Sequence, residues 1–181
     1  MTYSKEVLAL YGIVKCGPQF GTHGERSCLF EIPLATGRKA WMSQDLSQRS
    51  DYWLVLVEKR PFLQAWARAH QERHLAVGDE SIWRQDRKFA DAEDGFSHGR
   101  ENPVPLAECG GDYVVEKGLP ALRLSIDSGI TRTIWLMANG VERFPIKVST
   151  AKTAQLIHRG AGDKSTRPLS LAALYDVVLY Q

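Results

Sequence analysis

Residues 124–148, LSIDSGITRTIWLMANGVERFPIKV, leave this chain few ways to fold. Leu124 and Ile126 begin an apolar strand, which Asp127, Ser128 and Gly129 break. Ile134, Leu136, Met137 and Ala138 then crowd residues 131–139 closely enough to predict a buried helix. Asn139-Gly140 stops that helix, because glycine tolerates the left-handed conformation needed at a helix C-terminus. Phe144, Ile146 and Val148 alternate into a second strand, entered through Pro145. The order is strand, Gly turn, short helix, Gly stop, strand.

The chemistry of this stretch lies at the first turn. A helix that starts straight after a glycine loop points free backbone N–H groups above the strand end. Its dipole adds partial positive charge there. Thr131 offers a hydroxyl and Arg132 a planar fork of donors at the same place, a set that suits a phosphate or another oxyanion. An ordinary strand-to-helix turn with a surface arginine has the same spacing, so the pattern alone leaves both readings open.

Gly129-Ile130-Thr131-Arg132, the apolar helix, Gly140 and Phe144-Pro145-Ile146 together resemble the Gly-x-x-Arg signature of the ParB/sulfiredoxin superfamily. Residues 130–140, ITRTIWLMANG, and residues 97–107, SHGRENPVPLA, are similar to its plasmid fertility-inhibition branch, which includes the oncogenic-suppression proteins. The resemblance spans residues 95–148, and residues 1–90 add little to it. It implies an α+β fold: a ParB/sulfiredoxin-like mixed sheet with flanking helices, preceded by a small N-terminal β-rich portion. It implies inhibition of conjugative, type IV secretion DNA transfer from a co-resident plasmid. It also implies that relatives show nuclease and ATPase activity, and that His98, Arg100, Glu101 and Asn102 approach Arg132 in space.

Two departures narrow this expectation. Sulfiredoxin carries its catalytic cysteine directly after the glycine of the box, where this chain has Ile130, and an aliphatic side chain cannot act as that nucleophile. Chromosome-partition ParB proteins usually carry two consecutive arginines in the box and a helix-turn-helix downstream. Here Thr131 takes the first arginine's place, and too few residues follow Val148 for such a domain. Any DNA contact should therefore be sequence-independent and salt-sensitive.

The chain has 181 residues, enough for a single domain with a real core. We expect residues 1–90 to form the β-rich portion plus a helix, and residues 95–181 the core. A net charge of +2 is not that of a dedicated nucleic-acid binder, yet it allows a local basic patch. No apolar run is long enough to span a bilayer, and the N-terminus lacks a signal-peptide pattern, so the expected compartment is the cytoplasm with no membrane insertion. Cys16, Cys28 and Cys109 form no C-x-x-C pair, and an odd count in a cytoplasmic chain predicts free thiols. Of the histidines, His23 sits in the loop around Gly21 and Gly24. His70 and His74 fall at i, i+4; with Gln71 after the first, they read as helix-surface residues rather than metal ligands.

Along the chain, residues 7–14 read as an early strand-like run. A second strand at residues 28–32 and a third at residues 40–42 flank the turn at residues 35–38 as a hairpin. Residues 53–57 are a buried strand or the start of a helix. Residues 61–73 read as a helix with Phe62, Ala65, Trp66 and Ala69 on one face. Residues 74–94 read as a partly helical connection or a mobile loop, in which Arg84, Arg87 and Lys88 are offset by nearby carboxylates. Gly95 and Gly99 loosen the next segment, whereas Pro103 and Pro105 force extended backbone around Val104. Strands are expected at residues 113–115 and 121–126. Ser149 or Thr150 caps a helix running through Arg159, and a last helix spans residues 169–180.

The expected site follows. Ser128, Gly129, Thr131, Arg132, Arg100 and Asn102 bind phosphate, in ATP (or another nucleotide) or in DNA. Asp127 and Glu101 are the carboxylates available to hold Mg²⁺. Arg132, Asp127, Glu101 and His98 would form the catalytic set of a metal-dependent DNase with ATPase activity. The alternative is a non-catalytic inhibitor that binds nucleotide or a component of the conjugation machinery, such as its coupling ATPase.

Overall fold

The computed structural model describes residues 3–18 and 26–179. His23, the loop around Gly21 and Gly24, and Tyr180 lie outside the described residues. Helix α1 (Lys5–Leu10) comes first, with Ser4 Oγ accepting from the Val7 N–H. This corrects the single strand read over residues 7–14. A serine cap starts a helix that buries Leu8, and strand β1 (Ile13–Pro18) begins only after Gly12. Strands β2 (Arg26–Pro33) and β3 (Lys39–Leu46) form the expected hairpin.

Cys16 and Cys28 are disulfide-bonded, which overturns the expectation of three free thiols. The reason is register: β1 pairs antiparallel with β2 so that Cys16 faces Cys28 directly, with Cα atoms 4.3 Å apart. Spacing along the chain cannot reveal such a pair. Cys109 remains a buried free thiol.

Strand β4 (Trp53–Glu58) settles the strand-or-helix alternative in favour of a strand, with four consecutive buried residues. Helix α2 (Lys59–Ala67) is shorter than expected: Arg68 is its C-cap, and His70, at positive φ, prevents the helix from running on to residue 73. His70 and His74 therefore share no helix face, and His74 lies in helix α3 (Arg73–Ala76). Helices α4 (Glu80–Arg84) and α5 (Phe89–Ser97) fill the rest of the connection, anchored by buried Trp83, Phe89 and Phe96. A 3₁₀ turn (Gly99–Glu101) leads into the short strand β5 (Val104–Pro105).

The long hairpin of β6 (Glu108–Glu116) and β7 (Leu119–Ser128) feeds helix α6 (Ile130–Ala138), followed by β8 (Arg143–Val148). Helix α7 (Ala151–Ala161) is capped by Thr150. Strand β9 (Leu169–Ser170) and helix α8 (Leu171–Tyr175) follow, and Leu179 bridges to Cys16, in place of the one helix expected over residues 169–180. Ser170 Oγ caps α8 at Ala173, so the residues before it pair as a strand instead of extending the helix.

The fold is α+β with two mixed sheets. One has the order β1-β2-β3-β5 and the other β7-β6-β8-β4-β9. Strand β4 sits between β8 and β9, so the second sheet draws on both sides of the division expected at residues 90–95. Helix α6 buries Thr133 and every residue from Ile134 to Ala138. At about 1.5–3 kcal/mol per large apolar side chain, this fixes the helix, and with it the Gly129 turn, against the core.

Asp163 anchors the other end of the second sheet. Its side chain is buried and accepts from Arg143 Nη1 at 2.6 Å, the Ser165 N–H at 2.8 Å and Ser165 Oγ at 2.7 Å. Burial opposes ionisation, yet the Ser165 and Arg143 hydrogen bonds outweigh it and hold the carboxyl below its ordinary range. A depressed carboxyl contributes stability above its unfolded pKa and loses it as pH falls through the folded value. Asp163→Asn should therefore lower stability by about 2–3 kcal/mol at neutral pH, an effect that shrinks in acid. Urea unfolding at pH 7 and pH 3 checks this; equal losses at both would refute it.

Candidate functional site

The predicted turn forms as a built feature. Gly129 is the N-cap of α6, at φ 100°, and provides no side-chain acceptor for the first-turn N–H groups. Thr133 Oγ1 donates back to the Gly129 carbonyl at 2.8 Å and locks the turn. The Arg132 side chain folds over the glycine. A Cβ at position 129 would lie 2.3 Å from Arg132 Nε, so this arginine conformation requires glycine beneath it.

Arg132 Nη2 donates to Ser128 Oγ at 3.1 Å, whereas its Nε is buried with no partner. Burial lowers the guanidinium's pKa, which is the signature of a charge held partly out of water. Ser128 and Arg132 border two adjoining clefts. One also includes Asp127, Gly129, Thr131 and Lys88. The other includes Glu108, Lys147, Ser43 and Asp45. Of the three basic residues considered in the connection, Arg84 instead donates to the Ala138 carbonyl at the end of α6 and pairs with Glu80.

Sequence reasoning missed Glu108, Lys147 and Tyr52. Lys147 Nζ lies 2.9 Å from a Glu108 carboxylate oxygen, and Tyr52 donates to the other at 3.0 Å. The lysine ammonium also sits over the Tyr52 ring, 4.5 Å from its centroid. Burial works against the Glu108 charge, but hydrogen bonds from Lys147 and Tyr52 prevail and keep the carboxyl below its usual value. The Tyr52 hydroxyl is correspondingly raised, chiefly by its hydrogen bond to Glu108. The alternation of β8 contained a signal, since Lys147 interrupts the buried run through Ile146 and Val148. Nothing local announced Glu108 or Tyr52, which meet across β6 and the start of β4.

The remaining predicted residues occupy other places. Arg100 and Glu101 line a separate cleft over β1, β2 and β3, with Lys15, Ser27 and Ser43. Ser43 borders both that cleft and the Arg132 side. His98, at the end of α5, and Asn102 are exposed. Asp127 and Glu101 therefore border different clefts. Among the described residues, no three of His, Cys, Asp and Glu gather as a metal cluster. Asp127 is exposed and accepts from Ser125 Oγ at 3.2 Å. Cys109 is fully covered, and burial pushes its thiol up, which makes it inert as a nucleophile. No helix among the described residues is long and apolar enough to cross a membrane.

Comparison with known proteins gives this geometry a family. The protein osa of Shigella flexneri is 25% identical over 158 residues, covering 87% of this chain and 81% of that protein. The crystal structure of the oncogenic suppression activity protein, a plasmid fertility inhibition factor solved as a gold(I) cyanide derivative, superposes with a TM-score of 0.69. It matches over 94% of this chain and 88% of its own at 21% identity, a likeness of fold. The model of the family "Plasmid Fertility inhibition factor" matches residues 54–162, from β4 through Gly129 and Arg132 to the end of α7, and the chain belongs to that family.

Proposed function

We propose that this fertility inhibition factor has the ParB/sulfiredoxin type of fold and acts in the cytoplasm as a metal-dependent DNase, blocking conjugative transfer from a co-resident plasmid. The observation that carries this reading is Arg132: a partly buried guanidinium with an unpartnered Nε, at a helix start that no side chain caps. Such a site is short of an anion, and a phosphodiester or a nucleotide phosphate provides one. ATP or another nucleotide would use the same donors.

The residues divide the work by their chemistry. Arg132, Ser128, Thr131 and the first-turn N–H groups of α6 would hold the phosphate, and Lys147, paired with Glu108, borders the adjoining cleft. Mg²⁺ binds through one or two carboxylates plus substrate oxygens, and Asp127 has the right donor beside Arg132. When bound, that ion would neutralise charge on the phosphate. Glu108, held ionised by Lys147 and Tyr52, would accept from the attacking water and orient it.

The test is plasmid nicking by the wild type and Arg132→Ala, with Mg²⁺ and with EDTA. We expect nicking only with metal, and a loss of about 100-fold or more in the variant. Wild-type nicking by Arg132→Ala would put the chemistry elsewhere. No nicking by either protein, beside an active control nuclease, would leave the cleft as a binding site for nucleotide or for the coupling ATPase.

A further inference from the structure

The cleft that takes Arg100 and Glu101 away from the Arg132 turn has its own character. The Arg100 guanidinium lies over the Trp41 ring, 5.5 Å from its centroid. Arg100 is exposed and makes no ion pair among the described residues. Burial lowers the pKa of Lys15 across the cleft, and the Arg100 charge lowers it further, so two cations converge on one concavity. Ser27 and Ser43 provide hydroxyls from the sheet floor, and Leu29 and Pro103 provide apolar walls.

We propose that this cleft binds single-stranded DNA, as a second contact on the strand presented to the Arg132 cleft. This rests on the reading that the protein acts on DNA. Three features select a single strand over a duplex. The Arg100 guanidinium, a planar cation lying over the Trp41 ring, offers a face for an unstacked base, and a duplex keeps its base faces covered. The surface is a concave cleft rather than a broad basic face. Ser43 borders this cleft and the Arg132 cleft alike, so a flexible backbone has a route between them. Glu101 adds one negative charge, which weakens the attraction to phosphate, while its carboxylate would accept from an exocyclic base amine.

The experiment is fluorescence anisotropy of a labelled single-stranded oligonucleotide of about 12 nucleotides, in EDTA so that binding is read without cleavage. The proteins are wild type, Arg100→Glu, Arg100→Lys and Glu101→Gln. Both positions are exposed, and circular dichroism confirms that each variant is folded. Arg100→Glu should weaken binding about tenfold or more, and Arg100→Lys less, since it keeps the charge and loses the plane. Glu101→Gln should tighten binding by about twofold to fivefold, because it removes a repulsive charge. Wild-type affinity in Arg100→Glu, or no oligonucleotide binding by the wild type, overturns the proposal. The Arg132 reading fails separately, through unchanged nicking by Arg132→Ala.

Discussion

Gly129→Ala should abolish nicking as completely as Arg132→Ala, although position 129 has no side chain with which to hold a ligand. Two costs combine there. The backbone sits at φ 100°, where an L-residue is strained by about 1–2 kcal/mol. The new Cβ would also fall 2.3 Å from Arg132 Nε and 2.9 Å from both Cζ and Nη2. The guanidinium must then swing away, and its bond to Ser128 Oγ goes with it. Positioned donors lose most of their value when displaced by about 1 Å. The fall in stability should stay near 1–2 kcal/mol, a few degrees in Tm for a chain of this size. Gly118→Ala is the control. Gly118 has φ 78° in the turn between β6 and β7, with no atom within 4 Å of an added Cβ. It carries a similar backbone strain with no arginine above it, so its nicking should match wild type. Equal activity in the two glycine variants would show that the fold of Arg132 over the turn is irrelevant to the reaction.

This turn was legible in the sequence because every determinant is local. Strand alternation, a glycine, an apolar helix and a second glycine lie within residues 124–148, and β7, α6 and β8 form in that order. The hairpin of β2 and β3 was legible for the same reason. What failed was decided at a distance. Cys16 and Cys28 meet through antiparallel register, which no spacing rule reveals. The apolar run of residues 7–14 fits either period, and the Ser4 cap starts a helix there instead of a strand. Within the candidate site, Arg132 and its immediate neighbours were found from sequence. Glu108, Lys147 and Tyr52 come from three separate strands or strand edges and were not. Arg100 and Glu101 were picked out as chemically unusual residues, but their direction is set by the packing of α5, which places the 3₁₀ turn over β3.

That packing rests on Trp135, and Trp135→Ala should be strongly destabilising. Trp135 is 1% exposed and stacks on Phe96 of α5, with centroids 4.1 Å apart and planes 16° from parallel. Its Nε1 donates to Glu93 Oε2 at 2.6 Å, so one side chain joins α6 to α5 by both area and hydrogen bond. Truncating a buried tryptophan costs about 3–5 kcal/mol in lost transfer energy and cavity. For a chain of this length that corresponds to a Tm drop of roughly 6–20 °C. Trp135→Phe keeps the stack and loses the N–H, so it should cost only about 1–2 kcal/mol. The loss should also have a direction. Hydrogen exchange in Trp135→Ala should quicken first in α5 and the Gly99–Glu101 turn, since β4 and β8 keep their own pairing. Arg132 lies three residues before Trp135 on the same helix, while Arg100 hangs from the end of α5. Trp135 therefore fixes the two clefts relative to one another, and its removal should weaken oligonucleotide binding even where the Gly129 turn survives. A Tm within about 2 °C of wild type would show that α5 is held by other contacts and would remove this link between the clefts.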